Sequence, residues 1–313
     1  MLKKIIKKGR DFLINHDQYQ RQIDDIKIQN GLLFSIILHN NLKNIKNLFE
    51  VNFKVFSQNN EDGIIDYLIK SLKIQNIKFI EIGTENYSES NTRYLYETSI
   101  CRGLLIDDFC GLENEIKKRL KIWKGELKIY NHLINSKNIL NVLEFYEFDK
   151  NVDIFSIDID GIDYWIIKEL PPKISKIFIC EYNPYFGPDL EITVPNIDNF
   201  NRTKYHYSNL CWGASLKSII KILEKKGYTF IGTNNLKNNA FFILTELTSQ
   251  LSIDLPNINK LSTFTKAYFK ESRNIDGKLS FIDTSKILDT IKDCEIVDLS
   301  NQKEEKIKLK EII

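Results

Sequence analysis

Two apolar runs in this sequence end in oxygen-rich clusters. VDIFSIDIDG (152–161) runs into Asp158 and Asp160, two residues apart and therefore on one side of an extended chain. KIFICEYN (176–183) runs into Glu181, with Asn183 just behind it. If the two runs are neighbouring strands, three carboxylates converge on one sheet edge and repel one another unless something positive intervenes. A divalent cation answers that need: Mg²⁺ or Mn²⁺ prefers oxygen ligands, and would bind a substrate hydroxyl and lower its pKa. On this reading Asp158, Asp160 and Glu181 are metal ligands, and Asp158 is also a candidate catalytic group. His206, in the irregular segment that follows, would be a nitrogen ligand or a general base. Each residue has a plainer reading too. Asp160-Gly161 is then a tight turn, Asp163 a helix-start charge, Glu181 a carboxylate bonded to backbone amides and His206 a surface hydrogen-bonder.

A second pair of run ends suggests a nucleoside. KFIEIG (78–83) delivers Glu81 and Gly83, and the polar stretch TENYSESN leads on into a helix. Gly83 lets the backbone approach a ligand closely, or simply makes a turn. The single glycine is not the dinucleotide fingerprint G-x-G-x-x-G, which weighs against NAD and FAD. GLLIDD (103–108) ends in Asp107 and Asp108, twenty-odd residues after Gly83. A carboxylate there accepts hydrogen bonds from both hydroxyls of a ribose, or else caps the next helix.

Such strand ends need a sheet to bring them together. The strands expected are 78–83, 103–108, 127–134, 152–158 and 176–182, with helices over 90–99, 112–122, 137–147 and 162–170 between them. Nearly continuous apolar strands alternating with helices imply a parallel sheet covered on both faces. After Tyr182 about thirty residues rich in proline, asparagine and tyrosine break the rhythm, a length uncommon for a passive loop. A helix over 214–226 and two closing strands, 227–233 and 239–245, follow, the short turn between them suiting an antiparallel hairpin. The expected fold class is therefore α/β, a Rossmann-like seven-stranded methyltransferase sheet with a helical N-terminal extension and a mixed C-terminal tail. The expected boundaries are 1–53 for the extension, 54–249 for the sheet domain with an acceptor insertion at about 183–212, and 250–313 for the tail.

The remaining features set limits. The 313 residues are 42% hydrophobic, which excludes wholesale disorder, and their abundant lysine, isoleucine and asparagine look like genome base composition. A net charge of +2 gives no argument for nucleic acid as a partner. Five cysteines without C-x-x-C spacing suit a reducing cytoplasm, the expected location. The longest apolar run, GLLFSIIL (31–38), is less than half the roughly 20 residues of a membrane span, so no integral membrane association is expected. The basic start, with Ile5, Ile6, Phe12 and Leu13, reads as an amphipathic helix, packed on its own domain or lying on an anionic membrane. The N-terminal helices also offer a homodimer surface, although no heptad register is sustained over several repeats.

The blocks KVFSQNNEDGII, KFIEIGTENYSESNTRYL, GLLIDD, IFSIDIDGIDYW, FICEYNPYFGP and WGASLKSII, in this order, resemble FkbM-like S-adenosylmethionine-dependent methyltransferases. More closely they are similar to bacterial relatives associated with capsule and surface-glycan biosynthesis, over roughly residues 54–245. The resemblance implies S-adenosylmethionine as cofactor and O-methylation of a sugar or sugar-linked hydroxyl on a nucleotide-sugar or glycan precursor. It also implies that Glu81, Gly83 and Asn91 line the methionine side and that Asp107 holds the ribose. Thr84 and Glu85 stand where many methyltransferases carry a second glycine. Catechol-type O-methyltransferases are similar in having acidic ligands at the ends of strands four and five beside an asparagine. The insertion adds Tyr182, Tyr185, Phe186, Tyr205, Tyr207 and Trp212, which suit the apolar faces of sugar rings or form a core of their own. Two other functions fit the same residues: methylation of a small non-sugar hydroxyl or acid, and an inactive methyltransferase-fold scaffold.

Overall fold

The computed structural model describes residues 2–120, 122–267, 271–301 and 304–313, with side chains described from residue 18 onward. The side chains of the basic start, Ile5 to Leu13, therefore lie outside the described residues. In chain order the elements are α1 (Leu2–Asn41), α2 (Glu61–Ser71), β1 (Ile77–Ile82), α3 (Arg93–Thr98), β2 (Cys101–Ile106), α4 (Leu112–Arg119) and β3 (Glu126–Tyr130). Then come α5 (Ile139–Phe145), β4 (Val152–Ile157), α6 (Asp163–Glu169), β5 (Ser175–Glu181), β6 (Ile192–Thr193), α7 (Arg202–Tyr205) and α8 (Leu216–Lys225). The chain closes with β7 (Tyr228–Thr233), β8 (Asn239–Leu244), α9 (Ile287–Ile291), β9 (Glu295–Asp298) and β10 (Glu305–Lys308).

Seven strands form one sheet in the order β3-β2-β1-β4-β5-β8-β7. The first five are parallel; β8 runs antiparallel to β5 and pairs β7 as an antiparallel hairpin. This is the Rossmann-like seven-stranded methyltransferase sheet, and α1 is the helical N-terminal region. Strand alternation builds its two apolar layers. Phe178 and Cys180 of β5 with Ala240 and Phe242 of β8 face one core, while Ile177, Ile179, Phe241 and Ile243 face the other. β3 is shorter than the expected 127–134, because the chain leaves the sheet after Tyr130 and carries His132 to Ile134 over the strand ends.

The tail does not stand apart from the insertion. β6, inside the insertion, pairs antiparallel with β9, which pairs with β10, giving a second sheet of order β10-β9-β6. A third apolar core joins Tyr185, Phe186, Ile192, Val194, Leu210 and Cys211 to Ile287, Ile291, Cys294, Ile296 and Leu309. A boundary at 249/250 thus cuts through one packed unit. The insertion and the tail each supply part of that core and a strand of that sheet, so they pack as layers of one unit. Among the described residues no helix is long and apolar enough to cross a membrane.

Candidate functional site

β1, β2, β4 and β5 all end on one edge, where a cavity of about 850 Å³ opens. It runs from Asp107, His132, Leu133 and Ile134 past Gly83 and Asn91 to Asp158, Asp160 and Glu181. Ligands of open parallel sheets bind at such an edge, outside the carboxyl ends of the strands. The insertion closes one side with Phe200, Arg202 and Trp212.

Backbone packing first fixes the shape of this edge. Gly83 has φ +85°, and a Cβ there would lie 1.6 Å from the Asp158 carbonyl oxygen. Its glycine is therefore demanded by the close approach of β1 and β4, in addition to any ligand. The Gly83 N–H donates to Ile106 O, and Asp158 N–H to Ile82 O, so the three strand ends are tied together. The loop that follows carries positive φ at Glu85 (45°) and Tyr87 (59°), backbone strain of the kind that collects at ligand-binding loops.

Glu81 is buried and organises that loop. Its Oε2 accepts from Ser90 Oγ (2.6 Å), Thr92 N (3.0 Å) and Thr92 Oγ1 (2.5 Å), and its Oε1 accepts from Asn91 N (2.8 Å). Burial pushes its pKa up, and these donors oppose the shift. Asn91 in turn donates to Ser156 Oγ at 3.1 Å. Asp62, which sequence reasoning passed over, sets the wall behind: its Oδ2 accepts from the backbone of Val55, Phe56 and Ser57 and from the Ser57 hydroxyl at 2.7–2.9 Å. Phe56 O then accepts from Ser90 N. Asp62→Ala leaves three buried amides without their acceptor, each costing roughly 1–3 kcal/mol. Urea denaturation should show a loss of about 3 kcal/mol or more; a loss below 1 kcal/mol would mean the loop does not depend on this carboxylate.

Asp107 ends β2 at the cavity wall. Its Oδ2 accepts from Glu85 N (2.6 Å) and its Oδ1 from Phe109 N (2.7 Å). Each oxygen keeps a further acceptor lone pair. Beside it Ile106, Leu133 and Ile134 give the cavity an apolar stretch.

At the other end one ligand atom from each of Asp158, Asp160 and Glu181 lies within 4.8 Å of the others. Glu181 is buried, Asp158 half-buried and Asp160 exposed. Burial, then the charges of Asp160 and Asp163, push the Asp158 pKa well up; burial, then Asp158, does the same to Glu181. The two carboxyls are within hydrogen-bonding reach of each other. Asp160 sits at φ +54°. Asp163 holds the turn in place by accepting from Ile159 N and Gly161 N, both at 3.1 Å, and burial pushes its pKa up to about 6.

One positive group is already present. Arg202 of α7 pairs through Nη1 with Asp160 and through Nη2 with Glu271 at 2.7 Å, its guanidinium 5.9 Å from the Trp212 ring centre. No spacing in the sequence marks Arg202, which lies 42 residues from its partner in an irregular segment. His206 does not reach the carboxylates. It caps α7, is not among the residues lining the cavity, and its Nδ1 lies 2.7 Å from Ser208 Oγ, with burial lowering its pKa. The histidine at the cavity is His132, exposed and edge-on to Tyr130.

Most insertion aromatics turn away from the cavity as well. Tyr182 is fully buried with its hydroxyl on Phe264 O, Tyr185 and Phe186 belong to the third core, and Tyr205 bonds Glu295 O. Trp212 alone of the six expected residues lines the cavity, joined by Phe200. Burial against the tail outweighs exposure to a sugar, because a tyrosine ring in a shared core saves 150–250 Å² from water. Besides the Thr84 hydroxyl, two acceptors at the cavity have no partner among the described residues: Glu181 Oε2 and the buried Asn239 Oδ1. These residues are register partners on β5 and β8. Asn239 Nδ2 is committed to Glu61 Oε1 at 3.0 Å, which fixes the direction of its oxygen.

No family model matches the chain. The valine–tRNA ligase of Blochmanniella floridana is 25% identical over 201 residues, 63% of this chain and 19% of that protein. The chain thus spans about a fifth of that relative's length. Among solved structures, LepI in complex with SAM is 13% identical with a TM-score of 0.33, over 57% of this chain and 46% of that one. Coclaurine N-methyltransferase bound to N-methylheliamine and SAH is 14% identical with a TM-score of 0.32, over 70% of this chain and 72% of that one. None of these likenesses decides a function for this chain.

Proposed function

We propose that this chain is an S-adenosylmethionine-dependent O-methyltransferase that methylates a hydroxyl of a sugar or nucleotide-sugar precurser of a surface glycan, assisted by a divalent cation. The observation that carries the reading is one continuous cavity with a ribose-type carboxylate at the end of β2 and a carboxylate cluster at the ends of β4 and β5.

S-adenosylmethionine would supply an electrophilic methyl group on a sulfonium. For it, Asp107 offers the spare lone pairs of both oxygens to the ribose hydroxyls, Ile106, Leu133 and Ile134 offer apolar contact to the base, and the loop tied down by Glu81 presents Asn91 to the methionine end. The donor set also fits a cation. The ligand-atom spacing suits oxygens around one hard ion, and the unpartnered Glu181 Oε2 and Asn239 Oδ1 are buried acceptors that a cation would satisfy. Asp158, Asp160 and Glu181 would hold it, with Asn239 beside them; a bound Mg²⁺ or Mn²⁺ would make the acceptor hydroxyl more acidic. Without a cation, burial and the neighbouring charges push the Asp158 pKa up, and Asp158 would then be the group to take the hydroxyl proton. Arg202 neutralises Asp160 from the outer side, and Trp212 with Phe200 offers the acceptor an aromatic wall.

Calorimetry with S-adenosylhomocysteine tests the cofactor half. Binding should raise the melting temperature, and Asp107→Ala should weaken it by one or two charge-assisted hydrogen bonds, roughly 1.5–3 kcal/mol each. No heat with the wild-type chain would sink the enzyme reading. Incubation with candidate nucleotide sugars, read as a product gain of one methylene mass, tests the acceptor.

A further inference from the structure

Among the described residues, the 40-residue helix α1 packs on the sheet domain mainly along one line, with Phe34 stacked on Phe53 at its edge. Asp24 pairs with Arg93 at 2.6 Å, the Ser35 hydroxyl donates to Asp66 at 3.0 Å, Gly31 abuts Val55 and Tyr94, and Leu38 is buried. With the half-buried Ile28, these residues recur at intervals of four and three. On the opposite side Tyr19, Ile23, Ile26, Asn30, Leu33 and Ile37 recur at the same alternating intervals, and all six are exposed. That is a heptad seam on the face turned away from the domain. It was hidden in the sequence because Ile28 and Leu38, which serve the intramolecular face, interrupt the pattern.

We infer that this seam is a homodimer interface, a parallel two-stranded coiled coil in which two copies of the chain meet along residues 19–37.

Area argues for a partner. Seven large apolar side chains at the seam and its flanking positions are 47–67% exposed. At roughly 150–200 Å² for each side chain fully uncovered, they offer about 600–800 Å², close to what one partner contributes to a standard interface. Geometry argues for a second copy. The domain is attached at the heptad positions that point outward in a two-stranded coil, so two copies can join along α1 without their domains colliding. Of the flanking positions Gln20, Gln22, Lys27, Gln29, Phe34 and Ile36, only Lys27 is charged, and it is drawn back to 5.9 Å from the Phe56 ring of its own domain. No like-charge rows oppose the contact. Asn30 sits alone in the apolar seam, where a twofold axis would bring it against its own copy and its amide would be satisfied. A lipid surface would leave that amide unpaired. Along the seam itself Arg21 and Lys27 are balanced by Asp24 and Asp25, the basic excess of α1 lying before it in residues 3–10.

Sedimentation equilibrium on the full chain should give twice the 36.8 kDa chain mass at micromolar concentration. Leu33→Asp combined with Ile37→Asp should weaken association by about 100-fold or more. Both residues are exposed in the single chain, so the melting temperature of the dissociated variant should stay near that of wild-type monomer. Independently, Asn30→Cys in a Cys110→Ser background should oxidise to a disulfide-linked dimer, because identical seam positions face each other only in a parallel, in-register pair. A wild-type monomer at every concentration, or a dimer that survives the two aspartates and does not cross-link at position 30, would overturn the inference. A monomer that floats with phosphatidylserine vesicles would also overturn it and assign the seam to a membrane.

Discussion

Glu181→Gln and Asp158→Asn should each lower kcat by several orders of magnitude while leaving S-adenosylhomocysteine affinity within about twofold. Each change keeps the size of the side chain and removes one carboxyl group from the cluster at the ends of β4 and β5. If the cluster holds a cation, both variants lose metal affinity, and the acceptor hydroxyl loses the charge that makes it a nucleophile and aims it. The cofactor half of the cavity, built on Asp107 and the Glu81-tethered loop, is untouched by either change. EDTA should mimic the variants in the wild-type chain, and added Mg²⁺ or Mn²⁺ should restore activity there but not in Glu181→Gln. Full activity in EDTA, with metal analysis showing none bound, would remove the cation and leave Asp158 acting alone as the base. Unchanged kcat in both variants would remove the cluster from the chemistry altogether.

Gly83→Ala should cost about 4 kcal/mol or more in stability and take cofactor binding with it. Two causes add. The φ of +85° is strained for any residue with a Cβ, at roughly 1–3 kcal/mol, and that Cβ would sit 1.6 Å from the Asp158 carbonyl oxygen. The obstacle is backbone of a central strand, so relief requires β1 and β4 to part, which breaks the Asp158 N–H to Ile82 O bond and moves Asp158 itself. Chemical denaturation and calorimetry on the same preparation would measure both losses. An alanine variant with wild-type stability and wild-type affinity would show that the strand ends are not held as tightly as their packing implies.

The two experiments separate roles that a single cavity combines. The first alters charge without altering shape, and the second alters shape without altering charge. Should dimerisation through α1 prove real, neither outcome changes, since the seam lies on the far side of α1 from the residues that contact the sheet domain.

Much of this chain is legible from its residues alone. The strand–helix alternation, the terminal hairpin and the seven-stranded sheet are written in periods of two and 3.6 residues, which depend on neighbours only a few positions away. The convergence of Asp158, Asp160 and Glu181 was readable for the same reason: right-handed crossovers between consecutive parallel strands put their carboxyl ends on one edge. What the tertiary structure alone decided lies in the irregular segments. His206 and Arg202 stand four residues apart around one short helix, and which of them meets Asp160 depends on how that helix is pinned by Glu271, 69 residues later. The burial of Tyr185 and Phe186 depends on Ile287 and Ile291, about a hundred positions downstream. The free seam of α1 became visible only once its other face was seen to be occupied by Val55, Asp66 and Arg93. Local patterning carries the regular elements because their hydrogen bonds close within a turn or between neighbouring strands. The facing of a loop side chain is set by partners that the chain meets only after it has folded.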